Sequence, residues 1–166
     1  MALKKKTPAP APDNRALIVA AAKWAVANKS HFVYTQGRNR MDFEKTGIKF
    51  PITTDCSGFV TFCYRAAGAP DPNGMAYNGS GYTGTLLAKG KAIALKDVIP
   101  GDVIVYGPGT GWHTAVIVEN DGKNPLTVSH GGQGDPSYVH VNQDGRLPQR
   151  YLRFDTTQHW HPIPLS

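Results

Sequence analysis

A change of pattern at Pro100 constrains this chain more than any other feature. Beyond it, Val103–Tyr106, Thr114–Glu119, Leu126–Ser129, Tyr138–Val141 and Tyr151–Phe154 are short β-prone runs divided by Gly, Pro, Asn and Asp. Runs so short and so punctuated pair as antiparallel strands through tight connections. Before Pro100 the signals are helical. Residues 14–29 are Ala-rich, with Asp13 or Asn14 as the N-cap. A second helix is predicted from about Ser57 to Ala67, where Phe59, Val60, Cys63, Tyr64 and Ala67 share a face and Gly68 stands at the C-terminal cap. Residues 30–54 read as irregular, broken by Gly37, Gly47 and Pro51, and residues 69–95 as loop with a short helix around Thr83–Ala88. Helices followed by strands form an α+β plan. With 166 residues and no internal repeat, one domain can bury its own core without a metal or disulfide staple.

Charge is unevenly placed. Residues 1–49 hold 10 of the 18 Lys and Arg against three acids, Asp13, Asp42 and Glu44. A basic third of this kind attracts polyanions: nucleic acid, an anionic membrane, or a wall bearing acidic polymers. Lys4–Lys6, the apolar stretch Ala16–Ala27 and Ala25-Val26-Ala27 imitate an export signal. Pro8, Pro10 and Pro12 stiffen the link between charge and apolar stretch, and Lys23 and Trp24 interrupt that stretch. The expectation is therefore a basic, Pro-rich tail over residues 1–13, no signal peptide, and a single domain over 14–166. No stretch reaches the ~18 apolar residues of a transmembrane helix.

The chemistry gathers at junctions. In Thr54-Asp55-Cys56-Ser57-Gly58, a cysteine opens the second helix. Unpaired N–H groups and the helix dipole favour an anion there, so a lowered thiol pKa and an oxyanion site are expected. Cys63, seven positions on along the same helix, would lie about 10 Å from Cys56, too far to form a disulfide; it reads as core. His113 follows the turn Gly107–Trp112 and opens a strand, while His130 ends the next one. Antiparallel pairing brings the start of one strand beside the end of its neighbour, so both histidines are expected at one sheet edge. A thiol, a base and a third polar group that orients the base is the layout of an activated nucleophile.

These residues resemble the NlpC family of papain-like cell-wall peptidases. Asp55-Cys56-Ser57-Gly58 matches the family's nucleophile motif, and Pro100-Gly101-Asp102 matches the turn before its base-bearing hairpin. His113-Thr114-Ala115-Val116 matches the base motif, His130 falls at the third polar position, and Tyr34-Thr35-Gln36-Gly37 matches an upstream Tyr-x-x-Gly element. The resemblance spans roughly residues 14–155. It implies N-terminal helices packed on an antiparallel sheet of about five or six strands. Cys56 would be nucleophile, His113 base and His130 its orienting partner, with Tyr34, Asp55, Ser57 and Trp112 bordering the cleft. It implies further a stem-peptide substrate, commonly the γ-D-glutamyl to diaminopimelate bond, cut through a thioester without metal or cofactor by a monomer. A phage lysin or tail-associated enzyme, made in the cytoplasm and reaching the wall by release, injection or virion delivery, fits that description. The loops 38–54 and 75–84 are expected to flank the cleft.

Other classes compete. A zinc site from Cys56, Cys63, His113 and His130 lacks the tight cysteine spacing of structural zinc. A non-catalytic wall- or nucleic-acid-binding module suits the charge, but the sequence has no nucleic-acid recognition motif, and no specific nucleic acid is expected. A CHAP-type amidase or a thioester-using acyltransferase would employ the same cysteine and histidine.

Overall fold

The computed structural model describes residues 9–43, 48–131 and 134–165. Helix α1 (Arg15–Ala27) is followed by strand β1 (Phe32–Tyr34), strand β2 (Ile52–Thr54) and helix α2 (Cys56–Ala66). Helix α3 (Thr83–Lys89) leads to β3 (Lys91–Ile93), β4 (Val103–Tyr106), β5 (His113–Glu119), β6 (Leu126–Ser129), β7 (Ser137–His140), helix α4 (Val141–Asp144) and β8 (Gln149–Arg153). Six strands form one sheet in the order β3-β8-β4-β5-β6-β7, and every neighbouring pair is antiparallel. The fold is α+β, with α1 and α2 laid against β5.

Alternation along the strands divides the apolar residues between two faces. Val103, Val105, Val116, Val118 and Val128 pack with Ile18, Ala21, Ala22 and Ala25 of α1 and Phe59, Val60, Phe62 and Cys63 of α2. Ile104, Tyr106, Ala115 and Ile117 point the other way, beside Tyr151 of the neighbouring β8, and cluster with Val98 and Val141. Both faces of β4 are therefore covered, which is why Val103–Tyr106 reads as a continuous apolar run. Cys63 is buried in the helix-side core, and Trp24 packs against that core, stacked on Phe50 and tilted against Phe62.

The turn Pro100-Gly101-Asp102 is the hub of the sheet-to-helix contact. Asp102 is fully buried and accepts from Arg15 of α1 at 2.9 Å, from Arg153 of β8 at 2.8 and 3.0 Å, and from the Ile99 N–H at 2.8 Å. Tyr64 of α2 donates to the Gly101 carbonyl at 2.7 Å.

Several expectations shift. Helix α2 starts one residue earlier than predicted because Asp55 caps it. Val141 belongs to α4, not to the preceding strand. Asn14 stands at the N-cap of α1 but turns its side chain to the Ala67 carbonyl at 2.8 Å. Most informative, β1 and β2 form a parallel pair, Phe32↔Ile52 to Tyr34↔Thr54, inside the segment read as irregular. Three-residue strands with no alternating pattern leave no periodicity to read. Of the basic tail, residues 1–8 lie outside the described residues; at its end Pro12 accepts from the Gln158 N–H at 2.8 Å and Asp13 bridges Thr157.

Candidate active site

The sequence before α2 builds a capped, rigid helix start. Asp55 Oδ1 accepts from the Gly58 N–H at 2.7 Å and from Ser57 Oγ at 3.2 Å. Position 58 must be glycine: a Cβ there would sit 2.6 Å from the Arg40 carbonyl and 2.9 Å from Asp55 Oδ1. Arg40 Nη1 lies 3.4 Å from both Asp55 oxygens and from Ser57 Oγ, and its Nη2 donates to the Gly81 carbonyl. One guanidinium thus ties the two loops expected at the cleft to the residues flanking Cys56.

Cys56 is the first residue of α2, and the backbone N–H groups of Thr114, Ser57 and Cys56 itself lie near enough to its sulfur to favour the thiolate. The influence of Thr114 relates the thiol to the opening of β5, where His113 is the preceding residue. The helix-terminal N–H groups pull the thiol pKa down, as expected, yet burial and the Asp55 charge outweigh them and push it up to about 11. The expected net lowering is therefore corrected: the site withdraws the sulfur from water more than it compensates the thiolate. His113 is 8% exposed, and its ring stacks on Tyr106 at 5.9 Å and 17°. Burial, then the positive charge of Arg146, lowers its pKa to about 4. At neutral pH Cys56 is therefore a thiol and His113 a neutral imidazole.

His130 sits elsewhere than beside His113. Val116 pairs with Val128, so two steps along, Thr114 is level with His130, and both lie on the α2 side of the sheet. His113 lies with Tyr106 and Ala115 on the opposite side. Side-chain alternation therefore separates two residues that are close along the sheet edge. His130 Nδ1 pairs with Thr54 Oγ1 at 2.6 Å, its ring meets Tyr34 edge-on at 5.3 Å, and its Nε2 has no partner among the described residues. No hydrogen bond joins the two histidines among the described residues. His130 instead pins the strand end that leads into Asp55 and Cys56.

The parallel pair β1–β2 explains Tyr34. Register places it level with Thr54, two residues before Cys56. Burial, then the charges of Cys56 and Asp55, raise its phenol pKa. Trp112 is 62% exposed beside His113. Its turn is held by Arg150, which donates to the Gly107 and Gly109 carbonyls. Two groups were invisible in the sequence: Arg40, and the pair Asp144–Arg146, whose charges reach His113. Among the described residues no three His, Cys, Asp or Glu side chains converge as a metal site, and no helix is long and apolar enough to cross a membrane.

No protein-family model and no curated protein sequence matches this chain. Solved structures do. The NlpC/p60 domain of the peptidoglycan hydrolase SagA superposes with a TM-score of 0.54 at 21% identity, covering 84% of this chain and 98% of that one. This chain has an NlpC/p60 fold. The P60 domain of the M. avium subspecies paratuberculosis antigen MAP1204 gives 0.52 at 18% identity over 87% and 96% of the two chains. The peptidoglycan hydrolase RipB from Mycobacterium tuberculosis gives 0.50 at 18% over 89% and 73%. At such identities the NlpC/p60 likeness carries the architecture, and the residues themselves must carry the chemistry.

Proposed function

We propose that this NlpC/p60 domain is a cysteine peptidase that hydrolyses a stem-peptide amide bond of peptidoglycan. The observation that carries the reading is the Cys56 thiol at a capped helix start, under the influence of the Thr114 N–H, with the neutral His113 one residue before Thr114 at the start of β5. Two of the structural neighbours are peptidoglycan hydrolases, which supports the substrate class.

The chemistry follows from these groups. His113 takes the Cys56 proton as the sulfur attacks the carbonyl, so the thiolate exists only while the new bond forms. Backbone N–H groups at the start of α2 hold the oxyanion. Imidazolium then gives its proton to the leaving amine, and water releases the acyl group from the thioester. His130 is a positioning residue that acts through Thr54 and Tyr34. The bond proposed is γ-D-glutamyl to diaminopimelate, cleaved by a monomer that needs no metal or cofactor and that meets the wall after release, injection or virion delivery.

Digestion of purified peptidoglycan with product identification by mass spectrometry tests this directly. Wild type is expected to release new amino termini on diaminopimelate. Cys56→Ala and His113→Ala are each expected to lose at least about a thousandfold in kcat with the fold retained. Release of intact stem peptides from muramic acid would show an amidase instead. Hydrolysis persisting in Cys56→Ala would discard the mechanism.

A further inference from the structure

The α4–β8 connection carries a charged group that the proposed chemistry does not use. Asp144 and Arg146 flank Gly145, whose φ of 73° turns the chain back so that the two side chains meet. Arg146 Nε donates to Asp144 Oδ1 at 2.9 Å and its Nη2 to Oδ2 at 2.6 Å, a two-point fork that fixes the guanidinium plane. The guanidinium carbon lies 5.9 Å over the Tyr106 ring, and that ring stacks on His113 at 5.9 Å. Arg146 is thus stationed one aromatic ring away from the base, with its side chain 42% exposed. Its Nη1 has no hydrogen-bond partner among the described residues. Two further signs place it at the reaction centre: its charge is the largest one acting on His113, outweighing Asp144, and it is close enough to Cys56 to be stabilised by a thiolate there.

A guanidinium pinned on one edge and open on the other is pre-organised for a carboxylate, because the ordering of a long side chain has been completed before the ligand arrives. We propose that Arg146, held by Asp144, binds a carboxylate on the residue flanking the scissile amide and so sets specificity for free acids over carboxamides. This deepens the hydrolase reading and rests on it for the substrate, but not for the anion site itself.

The test uses two alkylating probes of the same size, anionic iodoacetate and neutral iodoacetamide, with modification assigned to Cys56 by mass spectrometry. The ratio of their rates cancels any change in how much thiolate is present, and Asp55 repels iodoacetate equally in every variant. Relative to 2-mercaptoethanol, wild type is expected to favour iodoacetate. Arg146→Gln should lower that preference about tenfold, the worth of one charge-assisted hydrogen bond at a partly exposed site, and Arg146→Lys should keep much of it. If Arg146→Gln does not fold, sodium chloride titration of wild type serves: the preference should decay toward that of 2-mercaptoethanol. An unchanged ratio in the variant, or a salt-independent one in wild type, overturns the proposal. A second arm compares stem peptides differing only in carboxylate or carboxamide beside the scissile bond. Arg146→Gln should reduce kcat/KM on the acid and leave the amide nearly unchanged; equal losses on both overturn the specificity role. Wild type that cleaves neither peptide but prefers iodoacetate defeats the hydrolase reading and leaves the anion site standing.

Discussion

Two buried histidines carry the pH behaviour of this domain. His113 and His130 both have pKa values near 4 instead of the ordinary 6.5, because burial disfavours the imidazolium. In the unfolded chain each binds a proton near 6.5, so between 6.5 and 4 the unfolded state holds more protons than the folded one. Stability is then full above 6.5 and is lost as pH falls toward 4. The urea midpoint should decline across that window, and His130→Gln, which can still pair with Thr54 Oγ1, should decline less steeply. A midpoint equally steep in wild type and variant would mean that His130 is already charged in the folded state. For His113 the same depression keeps the imidazole unprotonated at neutral pH, as the proposed role of base requires.

At the scale of elements, α2 does more than present a cysteine. Its first turn is locked from three sides by the Asp55 cap, the Arg40 guanidinium and the Arg40 carbonyl, with no room for a Cβ at position 58. Gly58→Ala should therefore cost about 2 kcal/mol from overpacking, read as a lower urea midpoint. Because the clash falls on the cap itself, Cys56 alkylation should change as well. A variant as stable as wild type would show that Arg40 and its loop shift without cost. The parallel pair β1–β2 is the second device at this scale, since its register sets Tyr34 level with Thr54, two residues before the proposed nucleophile Cys56. Neither strand is legible alone. Each owes its state to the other, and short strands take their stability from partners, not from propensity.

Across the whole molecule, Asp102 joins the first helix to the last strand. Arg15 and Arg153, 138 residues apart in sequence, meet on its fully buried carboxylate. Asp102→Asn keeps the shape but leaves two cations without their counter-charge, and should destabilise the fold by about 2 kcal/mol or more. Arg153→Gln, which removes a partner whose side chain is one-third exposed, should cost less. Equal urea midpoints for wild type and Asp102→Asn would reduce this cluster to a neutral hydrogen-bond hub. The sequence by itself determined the α+β order, the second helix from its apolar face, and four of the six sheet strands closely. It also placed Cys56 at a helix start and His113 at a strand start, because such starts are local events announced by local residues. Tertiary structure decided the rest. It placed His130 on Thr54 because side-chain direction depends on strand register, set by pairing and not by proximity in sequence. It raised the Cys56 pKa because burial depends on everything packed around a thiol. And it brought Arg40 and Arg146 to the site from surface loops, where a charge carries no periodicity and only the closed fold shows what it faces.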